Sequence, residues 1–158
     1  MSLSKLGILL YGSINYVIFL LTFIYCIGFV AGFGTPTNLD DMGRDVAPFA
    51  QAMVVNVSLL GLFAVQHMIM ARRWFKKRWT RIIHPAIERS TFVLITNLIL
   101  IAMFVRWEVM PTIVWDIESS TMRIVLYAMA GLGWGGVLLS TFLIDHFDLF
   151  GLKQFIRH

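Results

Sequence analysis

Polar and apolar positions along this chain fall into long blocks, not into the short alternations of a soluble fold. Between Lys5 and Asp40 there is no charged residue, and Leu6 to Ala31 is long enough for a crossing of about 20 residues. A cleaved leader is the competing reading, but its apolar core runs only about 7–15 residues. This run is longer and ends in Gly32, Phe33 and Gly34, so the pattern predicts a retained helix. Thr35 to Pro48 is rich in turn formers and reads as a connection. A second span covers Pro48 to Met70, with Pro48 suited to a first helical turn.

The third span is short on charge alone. Ser90 to Val105 would reach only roughly 24 Å, against a hydrocarbon core of about 30 Å. Beginning the helix near Pro85 and letting Arg106 snorkel outward beside Trp107 supplies the difference. Met110 to Ser120 reads as a loop, and Thr121 to Ile144 as the fourth span. The expectation is an all-α, polytopic membrane bundle. It forms a single transmembrane domain over 1–158, with spans at about 6–31, 48–70, 86–106 and 121–144.

Composition agrees: 58% of the 158 residues are apolar and 14% charged, and the mean hydropathy is +0.78. Soluble domains hold about 45–50% apolar and about 25% charged residues. The net charge of +4 taken alone points toward nucleic acid, but the basic residues flank apolar runs, which is a topological placement. Arg72, Arg73, Lys76, Lys77, Arg78 and Arg81 sit in one connection, read as a loop, with no acid among them. On the other side lie Asp40, Asp41, Asp45, Glu108, Asp116 and Glu118, with only Arg44, Arg106 and Arg123. An excess of lysine and arginine marks the cytoplasmic side. Both termini are therefore expected in the cytoplasm. The single cysteine, Cys26, excludes an intrachain disulfide. Phosphate-loop, nucleophile-elbow and zinc-protease motifs are absent from the sequence.

Three polar groups interrupt or edge the spans on the expected cytoplasmic face. Gln66 and His67 lie near the end of the second span. A histidine there can serve as base, donor or metal ligand, and both residues can equally serve as interhelical glue. Glu88 and Arg89 follow Pro85. The carboxylate suits a first helical turn, and Arg89 calls for a partner: Glu88, a lipid phosphate or an anionic substrate group. Snorkelling is the bland alternative for Arg89. Asp145, His146 and Asp148 end the fourth span. A metal site there lacks a supporting ligand cluster, and a solvated helix end is the commoner case, so no metal is expected. Asn15, Asn56 and Asn97 read as interhelical hydrogen-bonding residues. The Gly28/Gly32 and Gly131/Gly135 spacings read as close helix approaches.

Gln66-His67, the run Pro85-Ala86-Ile87-Glu88-Arg89-Ser90-Thr91 and the run His146-Phe147-Asp148-Leu149-Phe150-Gly151-Leu152, in this order, resemble the NnrU/nurim-like membrane family. Within it they resemble the thiol-methylating branch, itself distantly similar to isoprenylcysteine carboxyl methyltransferases. The resemblance runs from the first span to about Gln154. It implies a membrane-bound, S-adenosylmethionine-dependent enzyme in a bacterial inner membrane, converting methanethiol to dimethyl sulfide. His67 or His146 would take the thiol proton. Arg89 would supply positive potential or hold a cofactor carboxylate, and Glu88 would orient Arg89. Gln66 and Asp148 would lie nearby. The family pattern continues into an Arg-His-Pro element, further spans and paired glutamates. The resemblance therefore implies an amino-terminal portion here, with the cofactor-holding region outside it. A noncatalytic member, accessory to nitrogen-oxide metabolism, is the alternative.

The orientation is testable in intact cells after Cys26→Ala. A cysteine introduced by Lys77→Cys should resist an impermeant maleimide until lysis, whereas Glu118→Cys should react at once. The reverse pattern would overturn the orientation.

Overall fold

The computed structural model of the protein describes residues 3–41, 45–110 and 116–144. These form helices α1 (Leu3–Ala31), α2 (Phe49–Met70), α3 (Arg73–Trp79), α4 (Glu88–Arg106) and α5 (Ser120–Ile144), with a 3₁₀ turn at Pro85–Ile87 leading into α4. There is no strand among the described residues. Four segments are long and apolar enough to cross a membrane: Lys5–Ala31, Phe49–Met70, Pro85–Arg106 and Ser120–Leu143. The molecule is an integral membrane protein. Its outward faces carry apolar residues such as Leu21, Val54 and Leu132, as lipid contact requires.

The third crossing starts where the short apolar run needs it to. Pro85 opens the 3₁₀ turn, and the His84 imidazole Nδ1 accepts from the Ala86 amide at 3.2 Å, satisfying one donor of the helix start. The basic connection differs from the expected loop. Arg73–Trp79 is a helix of seven residues, held by Lys76 N–H to Arg72 O and by Thr80 N–H to Lys76 O. Phe75 stacks on Trp79 one turn on, with centroids 5.7 Å apart, and the Arg78 guanidinium lies over Trp74. Four-residue side-chain pairs of this kind stabilise a turn that no charge pair would have announced.

α4 is the centre of the bundle, packed against α1 on one side and α2 on the other. Tyr11 meets Thr91 and Phe29 meets Trp107, so α1 and α4 run parallel. Gln66 meets Thr96 while Asn56 meets Glu108, so α2 runs antiparallel to both. Phe29, Met103 and Phe104 form the apolar core, with Tyr25, Cys26, Leu59 and Trp107 packed around it. α5 lies at the edge. Phe23 of α1 meets Trp134 edge-on at 5.6 Å, and a cavity lined by Ile27, Ala31, Tyr127 and Trp134 separates the two helices further along.

Hydrophobic burial does not drive association between helices in lipid, so packing and hydrogen bonds carry it. At one end of α4, Thr37 donates to Phe104 O and shares a 2.7 Å bond with the Tyr25 hydroxyl. Asn56 makes a paired contact there. Its Nδ2 donates to Glu108 O at 2.8 Å and its Oδ1 accepts from Glu108 N–H at 3.0 Å. The amide thus replaces the strand or helix partner that the backbone past Arg106 has lost.

The other asparagines depart from the expected role. Asn15 donates to Tyr11 O on its own helix, and Asn97 Nδ2 is buried with no partner among the described residues. The glycine pairs depart too. A Cβ on Gly28 would stand 2.7 Å from Thr35 Cγ2 and 2.8 Å from Phe33 O, so its smallness admits its own returning turn, not a neighbouring helix. Gly32 ends α1 at φ +74°, a left-handed cap. Nothing lies within 4 Å of a Cβ built on Gly131 or Gly135.

Asn56→Ala would leave both Glu108 groups unpaired and cost about 1–3 kcal/mol. Asn15→Ala, which removes a bond within one helix, would cost no more than about 0.6 kcal/mol. Thermal unfolding in detergent should separate the two variants in that order.

Candidate functional site

The carboxy-terminal end of α2 and the first turns of α4 converge, and α3 bridges them in sequence. Glu88, Phe92 and Thr96 recur every four residues, so they form a stripe on one face of α4. That stripe meets α2. The Thr96 hydroxyl shares its one proton between Phe92 O at 3.0 Å and Gln66 Oε1 at 3.3 Å, and Gln66 Nε2 reaches Met70 Sδ at 3.1 Å. The Gln66 amide thus lies between Met70 of its own helix and Thr96 of α4.

His67 sits beside it. Its ring stacks on Phe63 of the same helix, with centroids 5.6 Å apart, and tilts against Phe92 of α4 at 5.0 Å. The imidazole is exposed, and the described residues make no hydrogen bond to either ring nitrogen. The stacked Phe63 ring and the tilted Phe92 ring bear on the imidazole and leave its nitrogens open to a ligand. This geometry suits a base better than a structural hydrogen-bonding histidine.

Glu88 is 7% exposed, far inside the usual range for a carboxylate. Its ion partner is Lys76 of α3, with Nζ to Oε1 at 3.6 Å. Arg89 follows Glu88 on α4 and is half-buried. On the α1 side, Thr91 Oγ1 donates to Ile87 O at 2.8 Å and so accepts from the Tyr11 hydroxyl at 3.0 Å. Trp79 Nε1 is buried without a partner among the described residues.

The structure thus brings Gln66 and His67 to the same end of the bundle as Glu88 and Arg89. His146 and Asp148 lie outside the described residues, so their relation to this cluster is not defined. Among the described residues no three metal-ligating side chains gather. Sequence reasoning missed Lys76, Phe92, Thr96 and Tyr11. The stripe 88–92–96 was readable from helical spacing. Nothing in a run of six basic residues distinguished Lys76 as the one that turns inward.

The ion pair should show coupling in thermal unfolding. Lys76→Met leaves a buried carboxylate unpaired and Glu88→Gln does not, so the first should cost more. The double variant should recover about 1–3 kcal/mol of coupling. Strict additivity would show that the two side chains do not interact.

No protein-family model matches the chain, and no solved structure matches it. Curated proteins do. A protein named methanethiol S-methyltransferase from Mycobacterium tuberculosis is 47% identical over 146 residues, which is 92% of this chain and 59% of that protein. One of the same name from Crocosphaera subtropica is 43% identical, covering 96% of this chain and 59% of its own. One from a Pseudomonas species is 47% identical, covering 95% of this chain and 57% of its own. The chain spans a little over half the length of these relatives. Over nearly all of its own length it is a homologue of proteins named methanethiol S-methyltransferase.

Proposed function

We propose that this chain is the part of a membrane methyltransferase that receives and activates a small thiol, with methanethiol as the acceptor and dimethyl sulfide as the product. The observation that carries the reading is His67, an exposed imidazole held between Phe63 and Phe92. It lies in a chain 41–47% identical to proteins named for that reaction.

The chemistry follows from the thiol. A cysteine thiol has a pKa of about 8.5, and an alkyl thiol without the neighbouring peptide groups is a weaker acid, so at neutral pH nearly all of it is protonated, whereas the thiolate is the nucleophile. Phe63 and Phe92 offer an apolar, polarizable surface to a small alkyl sulfide. His67 accepts the S–H proton, and the sulfur keeps the electron pair. The thiolate then lies near the amino-terminal end of α4, where the helix dipole favours negative charge. Arg89, in the first turn, adds positive potential. Gln66, tied to Thr96, holds the end of α2 against α4 and so keeps His67 over Phe92. His146 as a second acceptor, and Asp148 beside it, complete the proposed set.

The methyl donor implied by a methyltransferase is S-adenosylmethionine. The described residues do not make up its pocket. A carboxylate, an ammonium, a ribose diol and an adenine need several oriented partners, whereas Lys76 is engaged with Glu88 and Trp79 Nε1 is a single unpartnered donor. We therefore assign the described residues to the acceptor side. The basic connection faces the cytoplasm in this reading, and a bacterial inner membrane is the proposed location.

In membranes containing the full-length protein that carries this chain, His67→Gln should lower dimethyl sulfide formation by about 10²-fold, the lower end of a lost general base. Part of that activity should return as pH rises toward the thiol pKa, because the free thiolate then no longer needs the base. Unchanged activity at neutral pH would remove His67 from the mechanism.

A further inference from the structure

The basic helix α3 has two unlike sides. At 100° per residue, Phe75, Lys76 and Trp79 share one side, and all three are half-buried against the rest of the protein. Arg73, Trp74, Lys77 and Arg78 share the other, and all four are exposed. Lys76 is thereby spent inward on Glu88. Arg72, Arg73, Lys77, Arg78 and Arg81 have no carboxylate within ion-pair distance among the described residues.

Two apolar side chains stand among these cations. Trp74 is 53% exposed and carries Arg78 over its ring at 5.8 Å, and Ile82 is 79% exposed. Neither helps to build the core. α3 follows α2 after Met70, so this face sits where the second span leaves the hydrocarbon. Indole rings are favoured at headgroup depth, and guanidinium groups bind phosphate through paired N–H bonds.

We propose that the outward face of α3 is a docking surface for anionic phospholipid headgroups. Trp74 and Ile82 enter the interface, and Arg73, Lys77 and Arg78 hold headgroup phosphates. The charge complementarity is one-sided: the face presents no acid that could attract a zwitterionic lipid's amine. The membrane is thus the partner of this face, and the inward residues belong to the site.

The test uses the full-length protein reconstituted with spin-labelled phosphatidylglycerol or spin-labelled phosphatidylcholine as probe, reading the fraction of motionally restricted lipid. The wild type should prefer phosphatidylglycerol, and the preference should fall as salt rises. The variant R73Q/K77Q/R78Q should lose most of it, with roughly fivefold weaker association per charge removed near the surface. Arg72, Lys76 and Arg81 remain in that variant. R73K/R78K, which keeps the charge and the fold, should retain most of the preference. Equal association of the two lipids with the wild type would overturn the proposal, as it would if another protein segment covered this face. A preference that survives R73Q/K77Q/R78Q would overturn it too. If that variant does not fold, loss of the salt response in R73K/R78K would have the same effect.

Discussion

Hydrocarbon offers a polar side chain nothing to bond to, and the position of α4 follows from that constraint. Its neighbours reach it with side chains that would otherwise stand unpaired in lipid. Asn56 and Thr37 hold the end near Trp107; Tyr11, Gln66 and Lys76 hold the end near Pro85. Between these two sets lie Phe29, Met103 and Phe104, whose packing makes the interface specific but would not alone distinguish protein from lipid. α1 and α2 are held in place chiefly through the helix between them.

The same constraint makes the two ends of the bundle unlike. Near Trp107, Asn56 and Thr37 are engaged with the backbone at Glu108 and Phe104. Those near Pro85 are used unevenly: Gln66 reaches Met70, Glu88 is paired with Lys76, and His67 rests on Phe63 and Phe92 with its nitrogens open. A site needs both conditions, a rigid mount and an unspent functional group. The Phe92 ring against which His67 leans belongs to α4, so whatever fixes α4 also fixes the imidazole.

Hydropathy alone revealed the crossings, because charge is so rare in this chain that each charged residue marks a border. Lys5, Arg89 and Arg106 did so for α1 and α4, and the shortfall before Arg89 led correctly to Pro85 as the start of the third crossing. Partners were not readable in the same way. Whether Asn56 bonds a helix or the backbone beyond Arg106 depends on the rotation of α2 against α4, which no local pattern encodes. Gly28 and Gly32 matched a helix-approach spacing, yet the first admits a turn and the second caps a helix. The seven residues of α3 were too few and too uniformly charged for periodicity to register. Their side chains split inward and outward only once α2 and α4 are in place.

The order of the crossings along the chain gives the central position of α4 a consequence in time. As the polypeptide leaves the ribosome, α1 and α2 enter the bilayer first, and they scarcely touch each other in the finished molecule. Tyr11, Asn56 and Gln66 must therefore wait in the translocation machinery or in lipid until the third crossing arrives to engage them. Biogenesis of this protein has its commitment step at the synthesis of α4, and a defect there would release two correctly inserted helices with nothing to join.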